Sequence, residues 1–147
     1  GTESKSFSVE DGAGVAYARL AKIPVALISG RFSPCTSIRA TELGIEHCYQ
    51  GKLNKLESYN ELKKIFKVED ANIAYIGDGL IDIPILERVG FPCTVTDAHS
   101  KVIKVADYIT KKRGGDGAFR EVVEHILNSM GIYEKIYEKM QKQIYKV

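Results

Sequence analysis

Two aspartates four residues apart, in the stretch YIGDGLIDIP (residues 75–84), carry the strongest chemical signal in the sequence. Asp78 follows an apolar run, and the glycines on either side of it leave room for a ligand to approach. Hard divalent cations such as Mg²⁺ bind carboxylate oxygens and keep several waters, so one or two aspartates are enough protein ligands. The spacing therefore predicts a metal site at Asp78 and Asp82. The competing interpretation is that Asp82 only caps a helix and Asp78 is only a turn residue.

A second candidate site is the tripeptide Ser29-Gly30-Arg31, which also ends an apolar run. A hydroxyl before a glycine and a helix start can donate to a phosphate oxygen together with backbone N–H groups. Arg31 could pair with the same anion or with a carboxylate of a substrate. An ordinary turn with a solvated arginine fits the tripeptide equally well.

Basic residues add two more candidates. Lys55, in GKLNKLESY, leads a helical pattern, and a lysine there would neutralise charge between a phosphate and an attacking carboxylate. Lys52, in the same stretch, is an equal candidate for this role on composition, and either lysine side chain could simply be solvated. The glycine-rich stretch KKRGGDGAFRE (111–121) lets a ligand approach the backbone closely, and Arg113 and Arg120 could bind an anion. A flexible loop before a helix is the alternative.

The elements that must position these residues alternate along the chain. Short apolar runs rich in β-branched residues predict strands, and residues recurring at three and four positions predict helices. This alternation predicts an α/β fold with a doubly wound, mainly parallel sheet, whose ligands bind at the carboxyl ends of the strands. The predicted strands span 23–29, 72–78, 91–97 and, more weakly, 107–110; the predicted helices span 11–21, 34–44, 56–67, 80–89 and 117–130.

The composition of the chain fits one globular domain and gives no indication of a nucleic-acid or membrane partner. Its 147 residues are 44% hydrophobic, which fits one domain with a core, and a net charge of +2 does not require a nucleic-acid or membrane partner. No apolar run reaches the ~18 residues of a membrane span. The three cysteines are widely spaced, which argues against a disulfide framework or a structural zinc site and favours the cytoplasm.

Six motifs in register resemble a known family. FSVEDGAGV, ISGR, RATELGI, QGKLNKL, AYIGDGLIDIPILERVGFP and GGDGAFREVVEHIL are similar to the haloacid dehalogenase superfamily of phosphatases. Within that superfamily they look most like the capless 3-deoxy-D-manno-octulosonate 8-phosphate phosphatase group. The resemblance runs from about Phe7 to Met130. It implies a Rossmann-like core without a cap domain over residues 1–130, followed by an amphipathic helical tail over 131–147.

The resemblance also implies an activity: Mg²⁺-dependent hydrolysis of a phosphorylated sugar acid through an aspartyl-phosphate, as a step in lipopolysaccharide precursor synthesis. Ser29 then matches the phosphate-binding hydroxyl and Lys55 the charge-neutralising lysine, while Asp78 binds Mg²⁺ and Asp82 supports the metal site. The group forms tetramers, so a cytoplasmic homotetramer is implied. Substrate-binding positions by the same matching are Asp11, Gly30, Arg31, Arg39, Arg113, Gly114 and Gly115.

The sequence departs from the family at the residue that attacks phosphorus. The family carries the attacking aspartate and the general acid as Asp-x-Asp, and no Asp-x-Asp occurs in these 147 residues. Asp11-Gly12 has no acid two residues before it, and Gly79 stands where many relatives carry a second acid. We therefore expect the strand that carries the nucleophile to lie before Gly1, in a longer natural chain. We expect the 147 residues alone to be inactive.

Two other functions are compatible with the motifs. Relatives in the same group hydrolyse nine-carbon, sialic-type sugar 9-phosphates, although Arg31 and Glu42 favour the eight-carbon substrate. Similar domains without the nucleophile are fused to sugar-nucleotide synthetases, where they serve assembly. Retention of Ser29, Lys55, Asp78 and Asp82 fits that second alternative poorly, because an assembly domain does not need all four.

Overall fold

The computed structural model describes residues 2–145, in which five short strands alternate with seven helices. The strands are β1 (Ala26–Ser29), β2 (His47–Gln50), β3 (Ala74–Ile76), β4 (Phe91–Thr94) and β5 (Tyr108–Ile109). The helices are α1 (Val9–Leu20), α2 (Pro34–Glu42), α3 (Leu56–Phe66), α4 (Ile83–Leu86), α5 (Ser100–Val105), α6 (Ala118–Ser129) and α7 (Tyr133–Tyr145).

All strand pairs are parallel, and they form two sheets. β1 pairs with β2, with Ser29 opposite Gln50, and β3, β4 and β5 pair in that order, with Ile76 opposite Cys93. Within residues 2–145 no ladder joins β1 to β3, so each presents a free edge. Parallel strands linked by helices confirm the predicted α/β class. Ser29 and Ile76 each end a strand, so both lie at the carboxyl edge of their sheets, where ligands bind in this class.

The predicted elements are found with shorter strands than the apolar runs suggested. Strand β2 was not predicted, because four residues that include His47 and Gln50 give no apolar run or alternation. The predicted helix over 80–89 is instead a 3₁₀ turn, Leu80–Asp82, that continues as α4. Pro84 lies in the first turn of α4, where its missing N–H removes no helical hydrogen bond.

Helices α1, α6 and α7 pack against one another. A methyl group at Gly14 of α1 would lie 2.9 Å from the Arg120 Cα, so the glycine allows α1 and α6 to cross closely. Ile136 of α7 is buried with Leu127 and Tyr17. The division into a core over 1–130 and a tail over 131–147 remains a prediction, and Gly1, Lys146 and Val147, which those ranges include, lie outside the described residues.

No helix within residues 2–145 combines the length and the apolar character that crossing a bilayer requires.

Candidate active site

A cavity of about 510 Å³ lies between the free edges of β1 and β3 and is the place where most of the predicted site residues meet. Leu27 and Ile28 line it from β1, and Ile76 lines it from β3. Gly30, Arg31 and Arg113 do not line it. Eight predicted site residues do: Asp11, Ser29, Arg39, Lys55, Asp78, Asp82, Gly114 and Gly115.

A buried ion pair forms one wall of the cavity. The Lys55 Nζ lies 2.7 Å from the Asp82 Oδ1, and the two side chains are 10% and 2% exposed. Tyr75 donates its hydroxyl to the same oxygen at 2.5 Å, and the N–H groups of Asp78 and Gly79 donate to the Asp82 Oδ2 at 3.0 and 3.1 Å. Asp82 therefore fixes the position of Lys55 and the shape of the turn that carries Asp78.

The electrostatics of this cluster follow from its hydrogen bonds. Burial alone would raise the pKa of the Asp82 carboxyl, but the hydrogen bonds from Lys55, Tyr75 and the Gly79 N–H outweigh burial and lower that pKa below its usual value. Burial, with the hydrogen bond to Asp82, raises the pKa of Tyr75 above its usual range. Asp82 is thus an anion and Tyr75 a neutral donor across the physiological range.

Ser29 is the last residue of β1 and lines the same cavity. Its hydroxyl donates to the Arg31 carbonyl at 2.9 Å and accepts from the Arg31 N–H at 3.3 Å, which closes a tight turn. The Arg31 guanidinium is largely exposed and pairs with Glu3 at 3.2 Å. Because a hydroxyl rotates freely about its C–O bond, the Ser29 proton can be redirected from the Arg31 carbonyl to an anion in the cavity.

Asp78 is the acid best placed to take a metal ion. Its side chain is exposed, it follows β3, and its backbone carbonyl accepts from the His99 N–H at 3.2 Å. Both oxygens of Asp82, in contrast, already accept two hydrogen bonds each. Over residues 2–145 no group of three or more His, Cys, Asp or Glu side chains could hold a metal. Mg²⁺ needs only one or two protein carboxylates beside water and phosphate, so Asp78 fits as a partial Mg²⁺ site.

The other predicted ligand-binding residues divide into two groups. Asp11 and Arg39 reach the cavity from α1 and α2. The Asp11 carboxylate accepts N–H groups at the start of α6, whereas the buried Arg39 Nε has no hydrogen-bond partner among the described residues. Arg113 is exposed outside the cavity. Arg120 does not line the cavity, and its Nε lies 2.6 Å from the Glu124 Oε1.

Two residues of this region were not predicted. Tyr75 supports Asp82 from β3, and Glu121 accepts backbone N–H groups of the glycine-rich stretch. A tyrosine in an apolar strand and a glutamate in a helical first turn are common, so neither had a distinguishing sequence signal. The cavity thus brings together the Ser29 hydroxyl, the Lys55 ammonium and the Asp78 carboxylate. This arrangement is suited to binding a phosphate group with a cation.

Comparison with known proteins agrees with this chemistry. Residues 17–122 match the profile of the haloacid dehalogenase-like hydrolases. The chain is 44% identical over 131 residues to 3-deoxy-D-manno-octulosonate 8-phosphate phosphatase KdsC of Escherichia coli K12, covering 89% of this chain and 70% of the relative.

Two solved structures are close matches in fold. The phosphatase of the same name from Moraxella catarrhalis, in complex with magnesium ion, phosphate ion and a KDO molecule, aligns with a TM-score of 0.91 at 39% identity, over 95% of this chain and 80% of that one. A putative subfamily III A hydrolase from Legionella pneumophila aligns with a TM-score of 0.93 at 38% identity, over 97% of this chain and 78% of that one. The chain belongs to the haloacid dehalogenase-like hydrolase family.

Proposed function

We propose that this protein is a Mg²⁺-dependent phosphatase of 3-deoxy-D-manno-octulosonate 8-phosphate. The observation that carries the proposal is the convergence of Ser29, Lys55 and Asp78 on one cavity at the carboxyl edge of the strands. The named activity of the Escherichia coli relative and the Mg²⁺, phosphate and KDO of the Moraxella catarrhalis structure support the choice of substrate and metal.

Each residue has a role that its contacts support. The Ser29 hydroxyl donates to a phosphoryl oxygen, and the Lys55 ammonium neutralises charge on the phosphoryl group, held in place by Asp82. Asp78 would hold Mg²⁺, which supplies further charge neutralisation when bound. Phosphoryl transfer depends mainly on positioning and charge neutralisation, and a rigid, buried Lys55–Asp82 pair serves both.

The attacking carboxylate is the one component of this chemistry that the 147 residues do not contain as an Asp-x-Asp pair. We propose that it is supplied from outside them, on a strand that pairs with β1 and β3. The free edges of β1 and β3 face the same cavity, and their unpaired backbone groups would gain hydrogen bonds from such a strand. An aspartate at the carboxyl end of that strand would meet Ser29 and Asp78.

We also propose a cytoplasmic homotetramer. The three cysteines are free thiols, which is typical of a reducing compartment. Several large apolar side chains in the segments that follow β1, β2 and β3 are exposed, and a neighbouring subunit could cover them. These side chains are Phe32, Leu53, Leu80 and Ile81. Native mass spectrometry tests the assembly: a tetramer supports it, and a monomer at micromolar concentration contradicts it.

Phosphate release from a panel of sugar-acid phosphates, with Mg²⁺ or with EDTA, tests the activity. The panel contains the eight-carbon 8-phosphate and a nine-carbon sialic-type 9-phosphate, and the enzyme is the product of the complete gene. We expect Mg²⁺-dependent release with preference for the eight-carbon substrate. Preference for the nine-carbon substrate would assign the alternative phosphatase, and no release from either would favour a non-catalytic assembly domain.

A further inference from the structure

Two side chains hold the start of the glycine-rich loop, residues 111–117: the Glu121 carboxylate, and the Thr110 hydroxyl, which donates to the Lys112 carbonyl at 2.5 Å. Glu121, in the first turn of α6, accepts the Lys111 N–H at 3.0 Å and the Lys112 N–H at 2.9 Å. Tyr108 donates its hydroxyl to the same carboxylate at 2.7 Å. Burial would raise the pKa of Glu121, but these hydrogen bonds outweigh it and lower that pKa, so the carboxylate is an anion at neutral pH.

The end of the loop is held by another carboxylate. Asp11, from α1, accepts the Gly117 N–H at 3.3 Å and the Phe119 N–H at 3.1 Å, which anchors the loop where α6 begins. The loop is thus attached at both ends through its backbone rather than through its side chains.

The middle of the loop has few attachments and borders the cavity. Gly114 and Gly115 line the cavity, and the Gly114 N–H makes one long hydrogen bond, 3.4 Å, to Asp97. Gly115 has a φ of +76°, which favours glycine, and a side chain there would meet nothing within 4 Å. The position of Gly114 and Gly115 in the cavity wall therefore depends on the contacts that hold the two ends of the loop.

We infer that Glu121 is a positioning residue for ligand binding: it sets the place of Gly114 and Gly115 in the cavity wall without touching the ligand. Asp11 acts in the same way from the other end, since its carboxylate already accepts the N–H groups of α6. The identity of the ligand, a sugar acid, rests on the proposed function, but the anchoring of the loop does not. Because the loop would bind substrate and transition state alike, its loosening weakens binding more than turnover.

The test compares Glu121→Gln with Glu124→Gln in the 147-residue chain. Both variants make the same isosteric change on α6, but Glu124 pairs with Arg120 and does not contact the loop. The ¹⁵N-labelled protein is titrated with KDO (3-deoxy-D-manno-octulosonate), and binding is measured from the amide signals of Gly114 and Gly115. Amide hydrogen exchange of Lys111 and Lys112 reports on the anchor itself.

We expect Glu121→Gln to weaken KDO binding at least tenfold and to speed exchange at Lys111 and Lys112 at least tenfold, with Val122 exchange unchanged. Glu124→Gln should alter neither quantity more than twofold. In the complete gene product, Glu121→Gln should raise KM about tenfold and change kcat less than twofold. If Glu121→Gln does not fold, Tyr108→Phe, which removes one of the donors, should weaken KDO binding two- to threefold.

In a parent chain that binds KDO, three results would overturn the inference: the Gly114 and Gly115 signals do not respond, Glu121→Gln binds KDO as the parent does, or both glutamine variants lose binding equally. A parent chain that does not bind KDO at all would contradict the proposed function instead. Failure of the proposed function is a separate result. It also appears as a complete gene product that binds KDO at Gly114 and Gly115 but releases no phosphate with Mg²⁺.

Discussion

Replacement of Lys55 by methionine removes the charge that faces Asp82 while keeping the length of the side chain. Breaking a buried ion pair by removing one partner costs about 3–5 kcal/mol, because the other charge stays buried. Asp82 keeps three donors after the change, from Tyr75 and the Asp78 and Gly79 N–H groups, and it borders an open cavity. We therefore expect a loss near the lower limit, about 3 kcal/mol, or a fall in Tm of roughly 6–12 °C.

A matched control lies elsewhere in the chain. Lys63 and Asp70 form a pair at 2.8 Å, to which Tyr59 also donates, but their side chains are 25% and 39% exposed. Lys63→Met should cost much less than Lys55→Met, since solvent screens an exposed pair. Urea unfolding of both variants at pH 7, with equal m-values, measures the difference. Equal losses for Lys55→Met and Lys63→Met would refute the assignment of a stabilising buried pair.

The same variant has a predicted pH dependence. The pKa of Asp82 is lowered in the folded chain, so its contribution is complete above the unfolded pKa, about 3.9, and is lost as the pH falls through the lower folded value. Lys55→Met removes a hydrogen bond that lowers this pKa. The folded and unfolded pKa values of Asp82 are then closer together, so the variant should lose less stability than the parent as the pH falls from 6 to 3. Unfolding free energies between pH 3 and pH 6 that run parallel for the parent and the variant would contradict the prediction.

Three further changes have distinct expected results. Gly90→Ala would place a methyl group 2.1 Å from the Ala71 carbonyl oxygen and should cost about 2–3 kcal/mol in urea unfolding; a neutral result would contradict the packing. Asp11→Ala removes the acceptor at the start of α6 and should cost about 1–2 kcal/mol, whereas Asp11→Asn, which keeps an acceptor, should cost less than half as much. In the complete gene product, Asp78→Asn should lower kcat at least ~100-fold and raise the Mg²⁺ concentration at half-maximal rate, whereas unchanged Mg²⁺ dependence would exclude Asp78 as a ligand.

The sequence predicted α1, α2, α3, α6 and α7 and the apolar strands because their periodicity is local information, whereas the six-residue helix α5 was not predicted. Strand β2 was missed because it is defined by pairing with β1, and its residues His47 and Gln50 carry no apolar signal. The 3₁₀ turn before α4 was also missed. It depends on Asp82 accepting the N–H groups of Asp78 and Gly79, a contact that spacing alone does not reveal.

The position of a site residue could be predicted from the sequence where the residue lies at the end of a strand. It could not be predicted where a tertiary contact decides the direction of the side chain. Ser29 ends β1 and Asp78 follows β3, and both line the same cavity, as expected for the carboxyl ends of parallel strands. Arg120, in contrast, stands beside the glycine-rich loop in sequence but pairs with Glu124 and lies over the Tyr17 ring, 5.7 Å from its centroid. An arginine on a helix can turn to either side, and only the packing of α1 against α6 settles which.

We propose that Ser29, Lys55 and Asp78 form a phosphatase site that is completed by a carboxylate from outside these 147 residues. The most direct test measures phosphate release from 3-deoxy-D-manno-octulosonate 8-phosphate with Mg²⁺, by the 147-residue chain and by the product of the complete gene at equal concentration. We predict turnover by the complete product, its loss in EDTA, and none by the 147-residue chain. Mg²⁺-dependent turnover by the 147-residue chain alone would contradict the claim.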